Sequence, residues 1–504
     1  MVPSRSLFRQ YLAAFVGGLS IFCSGAAYTW ITPLLDRLES PGSVLPLTAD
    51  QGGWVVTLIE VGNLVGPLPT GILIDRWGRK LSVWINGPIY FLTWIAVLSY
   101  KSLTLLYIVR FVQGVAMSIQ FTALPLYLAE IGTPDQRGAL TSFFQGMWYL
   151  GIFCEYFGGK FLDYDGLTWF SLVPTAIFTV LFMYCPETPY YLAMKGREEE
   201  AGKSLAWLRA KTPDDQKVKE ELKSIMAAVD EEKSQKGSWR DLFGTREGRK
   251  AFIIVQIVGM VEMMSGLTTI LVYCSQTFAK TSGDASLADD ITLAMGGILF
   301  LVNVLELFLV ERYGRRPLLL ISSFGGTLCL IVTTAYYILD EVTYVDMKSY
   351  SWILYISLTG VTCLISLGAG ALLPVVMGEY FPNSTRGVAS GITIFNITIQ
   401  SCVCLKMYQV VSDNIGSYLI YAIFTFFSAI GTLGIYLLVP ETKGLTFEEI
   451  QKLMRKTSPT YHPGVVDEVG GEISPYLIKT GELLFGDERP RNTMALIIAV
   501  GTKS

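Results

Sequence analysis

The sequence predicts an all-α membrane protein of twelve transmembrane helices, arranged as two six-helix halves joined by a cytoplasmic helical linker. Three observations predict it. The composition is too apolar for a soluble chain. The apolar runs have the length of a bilayer. The charged signatures between those runs occur twice, in the same order.

Of the 504 residues, 51% are hydrophobic and 16% charged, where a soluble chain carries about 25% charged residues. The 39 basic and 43 acidic side chains give a net charge of −4, which argues against a nucleic-acid partner. The single histidine, His462, stands far from any apolar run. A histidine-based metal or catalytic centre is not expected, nor is a cofactor. The cysteines Cys23, Cys154, Cys185, Cys274, Cys329, Cys363, Cys402 and Cys404 sit in or beside apolar runs, without the spacing of a zinc site or a secreted disulfide framework. They read as small core residues. No nucleophile–base constellation and no phosphate loop suggests an enzyme.

A helix crosses the hydrocarbon core with about 20 apolar residues. Twelve such segments lie near 11–33, 52–74, 81–99, 103–127, 139–161, 167–185, 251–274, 291–310, 317–338, 352–377, 388–411 and 417–439. The first is too long for a signal-peptide core and reads as a retained span. The polar stretch 186–250 separates six from six. Its charges recur at helical spacing, with Leu205, Leu208, Leu222, Ile225 and Met226 on apolar faces, so surface helices are predicted there. The halves are then 1–185 and 251–440. The tail 441–504 is mostly polar, and its short apolar pieces cannot span, so low order is expected.

Arg5, Arg9, Arg76, Arg79, Lys80, Arg312, Arg315 and Arg316 fall on one set of loops, together with the basic central stretch. The alternate loops carry single charges: Arg37, Lys101, Lys160, Lys280 and Lys348. The positive-inside bias therefore places both termini and the linker in the cytoplasm.

The second helix of each half is followed by a related signature, "DRWGRK" at 75–80 and "ERYGRR" at 311–316. The fourth helix of each half is followed by "PLYLAEIGTPDQRG" (125–138) or "PVVMGEYFPNSTRG" (374–387). The halves end on "PETPYYL" (186–192) and "PETKGLT" (440–446). Three motif pairs in one order define an internal repeat.

These residues resemble the sugar porter family of the major facilitator superfamily, in particular its insect facilitated-trehalose and animal glucose facilitators, over about residues 10–450. Gly71, Asp75, Arg76, Gly78, Arg79 and Lys80 match the family's Gly-x-x-x-Asp-Arg-x-Gly-Arg-Arg. Glu311, Arg312, Gly314, Arg315 and Arg316 match its second-half version. Glu130, Arg137, Glu379 and Arg386 match the cytoplasmic acids and bases after helices 4 and 10, and Arg110 and Gly114 the helix 4 pattern. Pro186, Glu187, Thr188 and Pro189 keep Pro-Glu-Ser-Pro-Arg except for its arginine, which is Tyr190. The resemblance implies the major facilitator fold and a small-molecule sugar as solute. Asp75, Arg76, Arg79, Glu130, Arg137, Glu311, Arg315, Arg316, Glu379 and Arg386 are expected to form an ionic gate, pairing across the halves in one state and parting in the other.

The implied binding residues match only in part. Gln145 keeps the family's helix 5 glutamine, eight residues after Arg137. The helix 7 pattern Gln-Gln-Leu-Ser-Gly-Ile-Asn reads "EMMSGLT" at 262–268: Ser265 and Gly266 are kept, Glu262 and Met263 replace the glutamines, and Thr268 replaces the asparagine. Of the two following aromatics only Tyr273 remains. In helix 10, "GAGALLP" (368–374) puts Pro374 at the stacking tryptophan and Ala371 and Leu373 at the hinge prolines. In helix 8 Leu299 stands at the family's asparagine, and Asn303 lies one turn on. Trp148, three residues after Gln145, offers another stacking surface. Candidate solute contacts are Gln145, Trp148, Glu262, Ser265, Thr268, Tyr273 and Asn303.

Glu60, Glu155, Glu262, Glu306 and Lys406 fall inside apolar segments, where a mid-bilayer charge costs roughly 2.5–3.5 kcal/mol on insertion scales. Glu306 and Lys406 read as near helix ends, and Glu155 as near the outer surface. Gly25 stands where proton-coupled relatives carry an Asp, which favours a facilitator unless Glu262 or Glu60 replaces it. Three functions remain open: facilitated diffusion of a sugar or polyol, proton-coupled transport of a polar or cationic solute through Glu262, and a non-transporting nutrient sensor.

Overall fold

The computed structural model describes residues 4–40, 42–133, 136–234, 239–343, 345–381, 383–443, 445, 449–450 and 453. The described residues form one compact unit, within Met1–Thr457. Most of the tail expected to have low order lies outside the described residues.

Every regular element described is helical. Span 1 is Ser4–Thr29, continued by the short helix Thr32–Glu39. Span 2 is Ala49–Val65 with Pro67–Trp77, and span 3 is Arg79–Trp84 with Asn86–Ser99. Spans 4, 5 and 6 are Leu103–Ile131, Arg137–Phe161 and Tyr164–Phe182. Helices Pro189–Met194, Glu198–Arg209, Gln216–Ser234 and Trp239–Gly244 form the linker. Span 7 is Arg246–Met264 with Leu267–Ser282, span 8 Ala285–Tyr313 and span 9 Arg315–Tyr337. Span 10 runs through Ser351–Ile365, Ser366–Gly370 and Ala371–Tyr380. Spans 11 and 12 are Asn383–Asn414 and Ser417–Leu438.

Ten helical stretches among the described residues are long and apolar enough to cross a bilayer, and the bent span 2 makes eleven. The twelfth, span 5, has 25 residues, about 37 Å at the helical rise. It is less apolar because it carries Gln145, Trp148, Tyr149, Glu155 and Lys160. A span that lines a polar seam inside the bundle can afford such residues, since they do not face lipid.

Three spans are broken, each for a local reason. Span 2 bends by 52° at Gly66–Pro67, where proline supplies no N–H and its ring crowds the preceding turn. Span 7 breaks at Ser265–Gly266. Gly266 has φ +79, and a Cβ there would lie 2.5 Å from the Phe424 ring, so only glycine fits. Span 10 opens into a π-turn over Ser366–Gly370. The loss of hinge prolines at Ala371 and Leu373 therefore does not leave a regular helix. A π-turn relaxes the hydrogen-bond ladder in their place, and such turns are frequent at functional sites.

In the first half, span 1 packs on 5, span 2 on 4, and span 3 on 6. In the second, span 7 packs on 11 and 12, and span 9 on 10 and 12. The halves meet along two seams, span 5 against 8 and span 2 against 11, and Thr32–Glu39 lies on the second part of span 7. The linker's Leu205, Leu208 and Leu222 are buried, with Ile225 and Met226 packed at their edge. Ser6 Oγ donates to the Leu208 carbonyl at 3.1 Å and Arg9 Nη1 to the Trp207 carbonyl at 2.9 Å. The start of span 1 and the linker thus share one side of the protein, called here the linker face. The opposite side is the far face. All eight cysteines are free, and each is buried or half-buried.

Two carboxylates are packed inside the bundle. Glu155, near the far end of span 5, is fully buried, with its carboxylate accepting from Ser171 Oγ of span 6 at 2.8 Å. Glu306 is 6% exposed and does not snorkel. It continues the inward stripe Ala288, Thr292, Met295, Leu299 and Asn303, all buried at the three- and four-residue spacing of one helix face. Leu301, Val304 and Leu305 on the opposite face are exposed to lipid.

Spans 2 and 4 cross at backbone contact. A Cβ on Gly114 would lie 1.9 Å from the Ile59 carbonyl, and one on Gly62 2.1 Å from that of Phe111. Gly114→Ala is expected to lower stability by about 1–3 kcal/mol through overpacking. Gly391→Ala in span 11, whose Cβ would meet nothing within 4 Å, is expected to be neutral or stabilising. Thermal unfolding of the two variants in one detergent checks the contrast.

Candidate functional site

Among the described residues several polar ties cross between the halves inside the membrane; Tyr156 Oη of span 5 donates to the Leu271 carbonyl of span 7, and two further ties bear on the candidate site. In the first, Glu60 of span 2 is 4% exposed and accepts from Tyr28 Oη at 3.1 Å, Asn63 Nδ2 at 2.9 Å and Ser401 Oγ of span 11 at 2.9 Å. Ser401 Oγ also lies 3.4 Å from Thr268 Oγ1 in span 7. Beside it Arg110 is buried and ties span 4 to spans 1 and 2, donating to the carbonyls of Ala27, Tyr28 and Val55. In the second tie, Ser366 of the π-turn shares hydrogen bonds with Tyr149 Oη of span 5 at 2.8 Å and with Asn303 Oδ1 of span 8 at 3.0 Å. The Asn303 amide nitrogen donates back to the Leu299 carbonyl at 2.8 Å.

Of the residues expected to meet solute, Gln145 is half-buried, one turn from Tyr149 and in hydrogen-bond reach of it. Thr268 and Asn303 join the ties just described. Ser265 Oγ donates to the Glu262 backbone carbonyl at 3.1 Å, which steadies the break in span 7. The Glu262 carboxylate points toward the π-turn, with Oε1 3.6 Å from the Cβ position of Gly370. Its Oε2 is buried and has no hydrogen-bond partner among the described residues. Trp148 is 9% exposed and packed beside the rings of Tyr28 (5.6 Å, tilted) and Phe121 (5.1 Å, edge to face). Tyr273 is buried against Tyr408 with ring centroids 4.7 Å apart. It lines the small far-face space together with Glu39, Gln276 and Tyr408.

Sequence reasoning missed Tyr149, Ser366, Tyr28 and Ser401. Tyr149 carried a signal: it lies four residues after Gln145, on the same helical face. The two serines carried none, because hydroxyls are common in membrane helices and only tertiary contact selects these.

At the linker face the signature residues pair within each half, in the same pattern twice. Arg79 meets Glu130 at 3.0 Å, and the other Glu130 oxygen accepts from Thr188 Oγ1. Glu187 accepts from the backbone amides of Lys80 and Thr188. In the second half Arg315 meets Glu379 at 2.9 Å, and Thr442 Oγ1 donates to Glu379. Glu441 accepts from the backbone amides of Arg315, Arg316 and Thr442. Burial lifts the Glu187 carboxyl above its ordinary value, while the Lys80 and Thr188 amides and Arg79 pull it down. Asp75 and Arg76 are exposed. Arg316 caps the Tyr436 carbonyl at 3.0 Å, and Arg386 the Phe381 carbonyl at 3.2 Å. The side chains of Arg137 and Glu311 lie outside the described residues. Pairing across the halves at this face, expected from the motifs, is therefore not what the described residues show in this conformation. Each acid finds its base in its own half, because the acid's helix and the base's loop are packed together there.

The pairs that do cross lie at the far face. Arg37 meets Asp289 at 2.7 Å, Lys406 meets Asp50 at 2.7 Å, and Lys160 meets Asp290. Gln276 Nε2 donates to Glu39 at 2.7 Å. No other ion pair among the described residues joins the two halves.

Two six-helix bundles clasped at one face, with polar ties along a mid-membrane seam, define a carrier of the major facilitator type. The chain belongs to the sugar (and other) transporter family, whose model matches residues 8–454. That family consists of transporters rather than enzymes. The chain is 27% identical over 455 residues to the facilitated trehalose transporter Tret1 of Bombyx mori, covering 90% of this chain and 88% of that one. It is 26% identical over 452 residues to Tret1 of Drosophila willistoni, of whose length it spans 51%. Among solved structures it is similar to the proton:xylose symporter XylE bound to 6-bromo-6-deoxy-D-glucose, with TM-score 0.71, 20% identity, and coverage of 89% of this chain and all of that one. It is also similar to an inward-open conformation of XylE from E. coli, with TM-score 0.72, 19% identity, and coverage of 88% and 99%.

The linker-face pairs differ in depth. Arg79 and Glu130 are 6% and 8% exposed at their side chains, Arg315 and Glu379 22% and 23%. Removing one partner of a buried pair costs about 3–5 kcal/mol, because the other charge is left unpaired. Glu130→Ala is expected to destabilise by that order and Glu379→Ala by clearly less, as read by thermal unfolding of the purified variants.

Proposed function

We propose that the protein moves a sugar or related polyol across the plasma membrane by facilitated diffusion, with both termini and the linker on the cytoplasmic side. The observation that carries this reading is the division of cross-half contacts. Ion pairs close the far face, and none among the described residues joins the halves at the linker face. The cytoplasmic charge bias makes this conformation one that faces inward. Gln145, Tyr149, Ser366, Asn303 and Thr268 supply neutral donors and acceptors at the seam, the chemistry that sugar hydroxyls need. Each such hydrogen bond adds about 0.5–1.5 kcal/mol. The linker-face residues Asp75, Arg76, Arg137, Glu311, Arg316 and Arg386 re-pair when the halves rock together at that side. Trehalose is the named solute of the facilitated relatives, and disaccharides belong in the first panel tested.

One observation favours a second reading. Glu262 holds a carboxylate oxygen with no hydrogen-bond partner among the described residues, where the resembling family carries a glutamine. A carboxylate in a water-poor seam needs a proton or a cation beside it. Proton-coupled uptake, or uptake of a cationic solute, would supply either.

Uptake into vesicles across a panel of mono- and disaccharides, polyols and amino sugars, with and without a pH gradient, separates the two. Facilitated sugar diffusion predicts uptake that ignores the gradient and falls about tenfold or more in Gln145→Ala. A Glu262→Gln variant with an altered pH profile or an altered solute order would instead select the carboxylate reading. Binding without flux for every solute would leave only a sensor.

A further inference from the structure

We infer that the far-face ion pairs form a lock that sets how often that side opens. Lys406–Asp50, Arg37–Asp289 and Lys160–Asp290 each join one half to the other, so the far side can open only when all three part. This rests on the alternating-access reading above, and it assigns a function to charges that the solute site does not use.

Two of the three bases, Lys406 and Arg37, are also held by hydrogen bonds from their own half. Lys406 sits in span 11, 22% exposed at its side chain, and Gln409 Oε1 one turn on accepts from its ammonium at 3.1 Å. Across the seam it meets Asp50 at 2.7 Å, and the Trp54 ring with its centroid 4.7 Å away. An ammonium over an indole face gains from the ring quadrupole. One lysine is thus received by a charge and a ring that lie one turn apart on span 2. Arg37 donates to the carbonyls of Gly159 at 2.8 Å and Leu162 at 3.0 Å, at the end of span 5. The same guanidinium then reaches Asp289, whose side chain is only 14% exposed. Asp289 and its neighbour Asp290 thereby take two bases from the other half on one turn of span 8.

The backbone is shaped for this closure. Gly53, between Asp50 and Trp54 on span 2, leaves room for the Gln409 side chain of span 11, whose Oε1 would lie 1.4 Å from a Cβ there. The space left between Glu39, Tyr273, Gln276, Tyr408, Gln409 and Asp413 measures about 10 Å³, room for at most one water. A sugar cannot pass while the pairs hold. None of the lock residues belongs to the mid-membrane ties, so the lock biases the resting population whatever the solute. The pairs are partly exposed, and each is worth at most about a fivefold shift. Their sum is weak enough to break during a cycle, and salt screens it.

The test uses full-length protein in nanodiscs, with Ser412→Cys as reporter and the eight native cysteines replaced. Ser412 lines the residual far-face space. Its labelling rate with an impermeant maleimide reports opening. Lys406→Asp or Asp50→Lys alone is expected to speed labelling about three- to tenfold, and the double charge swap to restore the slow rate. Raising salt from low to high should speed labelling in the parent and have little effect in either single variant. Hydrogen exchange over residues 49–56 in protein with its native cysteines gives the same comparison without the cysteine replacements. Single variants that label at the parent rate, or a swap that labels as fast as the singles, would overturn the lock. Labelling that follows the lock while no solute moves would keep the lock and remove the transport reading.

Discussion

A bilayer core offers no water to a charge, and that constraint organises this protein. Every ionisable group placed there must find a partner inside the chain, reach an interface, or stay neutral. Arg110 finds backbone carbonyls and Glu60 finds three donors. At the far face Arg37, Lys160 and Lys406 find acids in the opposite half, and at the linker face Arg79 and Arg315 find acids in their own. The two faces are therefore unequal. At one the charges hold the halves together, and at the other they hold each half in shape. A carrier needs that inequality, since faces tied equally would leave no preferred opening.

Helix breaks convert the static bundle into one that can bend. Gly266 in its left-handed conformation divides span 7, and the π-turn at Ser366–Gly370 divides span 10. The Glu262 carboxylate lies between these two breaks, and Ser366 on the π-turn binds both Tyr149 of the first half and Asn303 of the second. A change in what occupies the seam therefore acts directly on the two weakest points of the second half. The span 10 break is reached without the prolines that the resembling family uses, so the mechanical requirement outlived the particular residues that met it.

The fold was legible in the sequence because it depends on averages. Twelve apolar runs, a central polar stretch and paired loop signatures survive many substitutions. Span 5 was read correctly even though it is the least apolar. The site was legible only where a single residue type carried over, as at Gln145 and Ser265–Gly266. Trp148 looked like a stacking surface on spacing alone, yet it is largely buried beside Tyr28 and Phe121. Glu306 looked able to snorkel from near a helix end, yet helix geometry turns it into the buried face of span 8. The far-face pairing was invisible for another reason. Lys406 stood out as a charge in an apolar run, but its partner Asp50 and the set Arg37, Lys160, Asp289 and Asp290 sit in separate helix ends, and no spacing links them. They become a set only when the two halves meet.

The central claim is that the halves rock about the seam, with the far face and the linker face opening in turn. Paired spin labels measure this most directly, one pair spanning the halves at the far ends of spans 2 and 11 and a second at the linker ends of spans 2 and 8. The account predicts a short, narrow far-face distance and a long linker-face distance without solute. A transported solute should create a second population in which both distances change together and in opposite senses. Two distances that stay fixed across every solute, or that lengthen together, would contradict it.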